Sequence, residues 1–295
     1  MPELPEVETV VRTLEKRLKG ACVASCTVFY DKLVDDPDPR TFEEHLTGET
    51  FLRFSRRGKY ILIQTGHYTW VSHMRMEGKF FVYPDASLRD KHTHMMISLE
   101  DGRYLYYKDT RKFGRMELYP AGERIRAIEC LGLEPFDERV TPEYLKEKGR
   151  NRVLKEVLLD QTVIAGIGNI YANEIAFAIG RRPSARIAKM SKKSLADLIR
   201  ETRRILTQAI EAGGTTIRSY NSEPGITGRF QLEVMVHGRE NEPCKICGTP
   251  IKKIQYKGRG TYYRSWGGGV PSRTVGRRCP AAAAGLGAEQ GEERD

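Results

Sequence analysis

The hydrophobic period changes twice along this chain, and that order constrains its fold most. Leu4, Val7, Val10, Val11, Leu14 and Leu18 recur at helical spacing, which predicts an amphipathic helix over residues 4–19 stopped by Gly20. From about 21 to 120 the helical period gives way to short β-rich runs at 23–30, 60–65, 68–73, 79–83, 94–99, 104–108 and 115–119, with turn signals such as Asp101-Gly102 between them. Many short strands at this spacing predict an antiparallel sandwich or barrel. After Pro135 the chain turns helical again. Thr141-Pro142 starts one helix, further helices are expected at 151–159 and 169–178, and Ser191 caps a long one that ends at Gly213-Gly214. The class predicted is α+β: an antiparallel β-sandwich with a leading helix (1–130), a helical domain (131–230), a hairpin segment (231–263) and a tail (264–295).

Residues 215–230 are polar and glycine-containing and read as a mobile loop. Residues 231–263 read as short strands around Cys244-Lys-Ile-Cys247 and the turn Lys257-Gly258-Arg259-Gly260. From Arg264 onward the composition shifts to Gly, Ala, Arg and Glu, the signature of a mostly disordered tail.

Lys and Arg number 49 against 39 Asp and Glu, a net charge of +10, so a polyanionic partner is expected and nucleic acid is the commonest. No apolar run reaches membrane-spanning length, and the acidic opening does not suit a signal peptide. A cytosolic protein, monomeric and without a membrane role, is the expectation. Among six cysteines, Cys22, Cys26 and Cys130 read as small buried apolar groups. The close pair Cys244 and Cys247 has thiolate spacing suited to tetrahedral zinc.

Pro2 stands just ahead of the first helix. With Met1 removed it presents a secondary amine, and an α-amino group titrates near ~7.7–8.0, far below lysine. Such an amine attacking a sugar C1′ forms an iminium ion, and Glu3 beside it is a candidate proton donor and acceptor. The plainer alternative is a proline that only starts a helix. Lys59, in Arg56-Arg57-Gly58-Lys59, has the alternative of an ordinary exposed lysine; Met76 and Phe113 have the alternative of core packing, although their polar neighbours favour exposure.

The opening Met1-Pro-Glu-Leu-Pro-Glu-Val-Glu-Thr9 resembles that of the bacterial formamidopyrimidine-DNA glycosylases. So do Gly58-Lys59-Tyr60, His73-Met-Arg-Met-Glu-Gly78, Asp109-Thr-Arg-Lys-Phe-Gly114, Leu158-Leu-Asp-Gln161, Gly166-Ile-Gly-Asn-Ile-Tyr-Ala172 and the finger segments Pro243-Cys-Lys-Ile-Cys-Gly-Thr249 and Gly258-Arg-Gly-Thr261. The resemblance runs in order over residues 1–263, and Leu4 favours this family over the related endonuclease VIII.

It implies excision of oxidised purines (8-oxoguanine and formamidopyrimidines) from double-stranded DNA, then strand cleavage by β,δ-elimination. Pro2 would be the nucleophile, Glu3 the acid/base that opens the sugar ring, Lys59 the catalytic lysine near the lesion and Arg259 the grip on neighbouring phosphates. Met76, Arg111 and Phe113 would fill the gap left by a flipped nucleotide, with His73 among the DNA-binding residues. Glu77 would lie near the lesion pocket. Gly166-Ile-Gly-Asn169 would form the helix–two-turn–helix element, with Asn169 on a phosphate; a plain capped turn is the alternative. Thr215, Thr216, Arg218, Ser219 and Tyr220 would belong to the loop that closes over the lesion.

The resemblance also implies Zn2+ on four cysteines. Cys244 and Cys247 supply the first pair, but after Tyr263 the chain reads Arg264-Ser-Trp-Gly267 and the second pair is missing. A makeshift site using His237 and Cys279 is conceivable. Without metal, a loose hairpin, a poorly placed Arg259 and reduced excision are expected, and a frameshift would account for the altered end. The competing functions are a relative acting on oxidised pyrimidines, a lesion-binding protein that does not cut, and a basic structural or RNA-binding protein.

Overall fold

The computed structural model describes residues 1–214 and 234–264. The lesion-loop candidates Thr215, Thr216, Arg218, Ser219 and Tyr220, together with Cys279 and the tail from 265 on, lie outside the described residues.

The leading helix α1 (Leu4–Leu18) is followed by strands β1 (Val23–Val28) and β2 (Val34–Asp36), helix α2 (Pro39–Leu46), and strands β3 (Arg53–Arg57), β4 (Tyr60–Gln64), β5 (Tyr68–His73), β6 (Lys79–Tyr83), β7 (Thr93–Leu99), β8 (Tyr104–Lys108) and β9 (Arg115–Pro120). Then come α3 (Arg126–Glu129), α4 (Pro142–Lys148), α5 (Leu154–Leu159), α6 (Asn169–Ala178), α7 (Lys192–Glu211), β10 (Ile251–Tyr256) and β11 (Arg259–Arg264). The α+β class expected from the periodicity is what the chain adopts. Two strands and two helices in the N-terminal half are not among the expected elements: β2, β3, α2 and α3.

One sheet runs in the order β1-β7-β8-β6 and the other β2-β9-β5-β4-β3. All their pairings are antiparallel except β2 with β9, which is parallel. Alternating residues of both sheets meet in one core: Val23, Cys26, Phe80, Met95, Ile97, Leu105 and Tyr107 from the first, and Phe54, Ile61, Ile63, Trp70, Met116 and Leu118 from the second. This is sandwich packing, in which the inward residues of each strand interdigitate across the layer. Of the three cysteines expected inside, only Cys26 is buried; Cys22 is half-buried and Cys130 is exposed just after α3. α2 adds Phe42 and Leu46 to the core; its start is fixed by Asp38, whose carboxylate accepts from the N–H groups of Arg40 and Thr41.

The helices α4 to α7 enclose a second core built on Leu145, Leu154, Val157, Leu158, Tyr171, Ile175, Leu195, Leu198 and Leu206. α1 serves both. Val7, Val10, Val11, Leu14 and Leu18 pack in the sandwich, whereas Leu4, one turn earlier, packs with the helices. The N-terminus is therefore pinned where the two cores meet. A third, small core of Val236, Cys244 and Ile251 underlies the β10–β11 hairpin, with Phe177 of α6 packed against it.

Candidate active site

Pro2 is buried immediately before α1, and Glu3, its N-cap residue, is only 2% exposed. Two sets of hydrogen bonds fix this tip. The Glu3 N–H donates to Glu6 Oε2 (2.8 Å), and the Leu4 N–H donates to the Gly166 carbonyl (3.0 Å). The Glu3 carboxylate reaches across to the helical domain and accepts from the N–H groups of Gly168 (2.7 Å), Ile170 (2.8 Å) and Tyr171 (3.3 Å). Those groups open α6, so the carboxylate occupies the positive end of that helix.

Gly166-Ile-Gly-Asn169 is thus a seat for the chain terminus. A Cβ on Gly166, whose φ is +94°, would meet Leu4 at 2.7 Å, and one on Gly168 would lie 2.5 Å from Glu3 Oε1. Gln161 closes the turn, its Oε1 accepting from Gly166 N–H and its Nε2 donating to the Ile167 carbonyl.

The charges here are displaced from their usual behaviour. Burial raises the Glu3 carboxyl above the ordinary range; neighbouring Glu6 adds to this, while Lys59 and the α6 N–H groups oppose it. Lys59 is 6% exposed, and burial lowers its ammonium, with Arg259 pushing the same way and Glu3 resisting. The terminal amine is lowered by burial too, and feels Glu3, Glu6, Lys59 and Glu77. The exposed-lysine alternative for Lys59 does not hold. Its strand follows a turn clamped from outside: Glu134 accepts from Gly58 N–H (2.7 Å), Arg56 (2.9 Å) and Arg57 (3.0 Å). Gly58 sits at φ +57°, with Leu131 and Ala165 filling the space a Cβ would enter.

Two loops stand beside this centre. His73 to Gly78 presents Met76 at 37% exposure, and Asp109 to Gly114 presents Phe113 at 46%. Core packing is excluded for both. Buried Asp109 shapes the second loop by accepting from the N–H groups of Arg111, Phe113 and Gly114 (2.8–3.0 Å). The Arg111 guanidinium lies 4.9 Å from the Phe113 ring centre. Thr110 donates to Glu77, joining the loops. Both loops close on one atom: a Cβ on either Gly78 or Gly114 would overlap the Tyr107 hydroxyl. His73 is buried, lies edge-on to Tyr60, and accepts the Arg75 N–H on Nδ1 (3.0 Å). Burial, with Arg75 and Lys59, pushes its imidazole down to about 3. It is therefore a neutral post for the loop and carries no cationic charge at neutral pH.

Arg259 is exposed where β10 turns into β11. The two turn residues, Lys257 (φ 47°) and Gly258 (φ 74°), have the positive φ that a tight hairpin demands. Asn169 donates one N–H to the Gly260 carbonyl (3.0 Å), so it holds the hairpin and retains a second N–H. Lys155 carries no signal in the sequence, where it looks like a surface lysine of α5. It is fully buried beneath β11 and donates to Thr261 Oγ1 (2.5 Å), Asn173 Oδ1 (3.0 Å) and the Gly260 carbonyl (3.4 Å). Burial lowers it to about 8, with Arg259 adding to the effect and Glu3 opposing it. Lys59, Lys155 and Arg259 form a group in which each of the two lysines feels the arginine, an arrangement that an anionic ligand relieves.

Zinc needs four donors in a closed structural site. The described residues supply two. Cys244 is buried and Cys247 exposed, and no group of three His, Cys, Asp or Glu stands together among the described residues. His237 Nδ1 is engaged with Asn173 (2.8 Å), and Arg264 aims its guanidinium at Cys247 Sγ (3.3 Å). The donor set does not fit the metal. β10 and β11 pair in unbroken register from Ile251–Arg264 to Tyr256–Arg259.

No helix among the described residues is long and apolar enough to cross a membrane. Comparison with known proteins gives a consistent result. Residues 1–116 match the family model of the formamidopyrimidine-DNA glycosylase N-terminal domain, and residues 131–221 match that of the formamidopyrimidine-DNA glycosylase H2TH domain. The formamidopyrimidine-DNA glycosylase of Bacillus subtilis is 43% identical over 268 residues, covering 89% of this chain and 97% of its own. That of an Exiguobacterium species is 44% identical over 269 residues, covering 89% and 98%. Among solved structures, the Lactococcus lactis enzyme bound to DNA with an abasic site superposes with a TM-score of 0.83 at 37% identity, covering 89% and 97%. A variant of it bound to Fapy-dG DNA gives 0.84 at 37% identity, covering 89% and 98%. On its helical seat, its sandwich and these likenesses together, the chain belongs to the formamidopyrimidine-DNA glycosylase family.

Proposed function

We propose that this protein removes oxidised purines, 8-oxoguanine and formamidopyrimidines, from double-stranded DNA and then cleaves the strand, with Pro2 as nucleophile. The observation that carries this is the buried amino-terminal tip, held beside Glu3 and Lys59 at the meeting of the two cores. The solved relatives in complex with abasic-site and Fapy-dG DNA support a DNA partner. An RNA partner or a purely structural role leaves this buried terminus without a purpose.

Once Met1 is removed, the Pro2 nitrogen is the chain terminus beside Glu3. Its lone pair attacks C1′ of the damaged nucleotide, and the bond from C1′ to the base breaks with its electron pair leaving on the base, which takes up a proton as the Pro2 nitrogen gives up its own. Ring opening then moves electrons to O4′, which takes a proton, and leaves an iminium between Pro2 and C1′. Glu3 suits that proton transfer because burial raises its carboxyl above the ordinary carboxylate range, which eases the taking up and giving back of a proton. The iminium acidifies C2′, whose proton leaves as the 3′-phosphate departs; elimination of the 5′-phosphate follows. Lys59, low for a lysine, lies close enough to Glu3 to feel its charge and supplies positive charge toward a phosphate.

Arg259 grips phosphates beside the lesion, and Asn169 offers its second N–H to the same backbone. Met76, Arg111 and Phe113 take the place of the flipped nucleotide: a thioether and a ring restore stacking, and the guanidinium donates to the orphaned base. Glu77 borders the lesion pocket. His73 acts by holding the Met76 loop. The lesion-closing role of Thr215, Thr216, Arg218, Ser219 and Tyr220 is carried over from the resemblance. Zn2+ takes no part in this scheme.

The test is single-turnover cleavage of a duplex with 8-oxoguanine opposite cytosine. Release of the free base and phosphate on both ends of the gap is expected. Base release with no strand scission, or preference for oxidised pyrimidines, would refute the assignment.

A further inference from the structure

We propose that the β10–β11 hairpin of this chain is held in its working position without metal, by a guanidinium–thiol contact inside the finger and by a polar dock on α5 and α6. The resemblance implies a four-cysteine zinc site; this chain has exchanged it for a different device. At the position following Tyr263, where the second thiol pair is missing, stands Arg264, whose guanidinium donates to Cys247 Sγ at 3.3 Å. The Cys247 thiol also bonds the Thr249 hydroxyl (3.4 Å), and the Cys244 N–H donates to the Thr249 carbonyl (2.9 Å), closing the 244–249 turn. A cation on the ligand face of the thiol pair competes with a metal ion for the same sulfur.

The second half of the device lies outside the finger. Glu174, 5% exposed on α6, accepts from the N–H groups of Met235 (2.8 Å), Val236 (3.0 Å) and His237 (2.8 Å), anchoring the stretch of chain that leads into the hairpin. Asn173, one residue earlier, bonds His237 Nδ1. Lys155 and Asn169 converge on the Gly260 carbonyl and Thr261 at the other strand. Glu156 takes the Tyr256 hydroxyl (2.9 Å) and the Lys257 ammonium (2.5 Å) at the turn itself. The approach to the hairpin, its turn and its second strand are therefore all bonded to one rigid helical unit. Charged acceptors on backbone N–H groups in a dry setting are the stronger kind of hydrogen bond. Metal binding and folding are coupled in small fingers because nothing else holds them; here something else does.

The experiment uses the full-length protein and needs no DNA, so it reads independently of the glycosylase assignment. Zinc content is measured by elemental analysis, and amide exchange of residues 251–264 is followed with and without a strong chelator, in the wild type and in Glu174→Gln. The proposal expects far less than one zinc per chain, hairpin exchange unchanged by chelator, and exchange accelerated about tenfold in Glu174→Gln. One tightly held zinc per chain with exchange that rises on chelation would overturn it. So would a Glu174→Gln hairpin that exchanges like the wild type. Arg264→Gln separates the two halves: faster exchange confined to the 244–249 turn supports the guanidinium contact, and no change there refutes it.

Discussion

Gly168→Ala isolates the geometry of Glu3, the proposed acid/base, from everything else. Gly168 has φ −125° and ψ −159°, extended backbone that alanine adopts freely, so the substitution brings no backbone strain. Its cost is steric: the new Cβ would overlap Glu3 Cδ and stand 2.5 Å from Oε1. The carboxylate must leave the N–H groups that hold it at the start of α6. Losing the two shorter of these hydrogen bonds to a charged group, at ~1.5 kcal/mol each, removes about 3 kcal/mol of positioning. Carried into the transition state, that is on the order of 10²-fold in excision rate. The assay is single-turnover excision of 8-oxoguanine, with thermal unfolding and binding to uncleavable abasic-analogue DNA as controls. A folded Gly168→Ala protein that binds DNA but excises about 10²-fold more slowly is expected. A folded variant excising within about threefold of wild type would refute the role given to Glu3's seat.

Further outcomes are expected at three places. Gly114→Ala, whose Cβ would press into the Tyr107 hydroxyl, should disturb both loops and cost about 1–3 kcal/mol as overpacking. Tyr107→Phe should be nearly neutral by itself, because that hydroxyl has no hydrogen-bond partner among the described residues, and should partly rescue Gly114→Ala in urea unfolding; failure to rescue refutes the shared contact. Phe113→Ala, at a ring 46% exposed, should leave stability within about 0.5 kcal/mol yet weaken binding to lesion duplex by about 1–3 kcal/mol, as loss of base–aromatic stacking does. His73, at about 3 when folded against a usual value of 6.5, binds its proton more weakly in the native state. It therefore contributes stability that is full above pH 6.5 and lost as pH falls from 6.5 toward 3, so His73→Gln should flatten that limb of the stability profile. An unchanged acid limb contradicts a buried neutral imidazole.

Much of this architecture is legible in the sequence. Apolar spacing in α1 and the alternation of the strands mark residues that do build the cores, and the Gly-rich turn 166–168 marks a tight approach. What escapes is non-local. β3 carries Arg53, Arg56 and Arg57 and buries only Phe54, so its pattern reads as solvated surface until its pairing with β4 is known. β2 is three residues long and pairs with distant β9 in parallel. For α2, the Asp38-Pro39 cap signal is present but outweighed by the surrounding strand runs. Lys155 looks like any helical lysine because what buries it, β11, lies about a hundred residues on. Met76 and Phe113 are the converse: apolar residues left exposed because glycines and Asp109 turn their loops outward. The missing second cysteine pair suggests a slack hairpin, and the bonds that reach it from α5 and α6 carry no local signal in the sequence.

The measurement that bears most directly on the central claim is borohydride trapping on duplex DNA with 8-oxoguanine opposite cytosine. Reduction of an iminium between Pro2 and C1′ predicts a covalent protein–DNA adduct from the wild type and none from Pro2→Gly. A wild-type protein that binds this duplex but gives no adduct, or an adduct of equal yield from Pro2→Gly, would contradict the assignment of Pro2 as nucleophile.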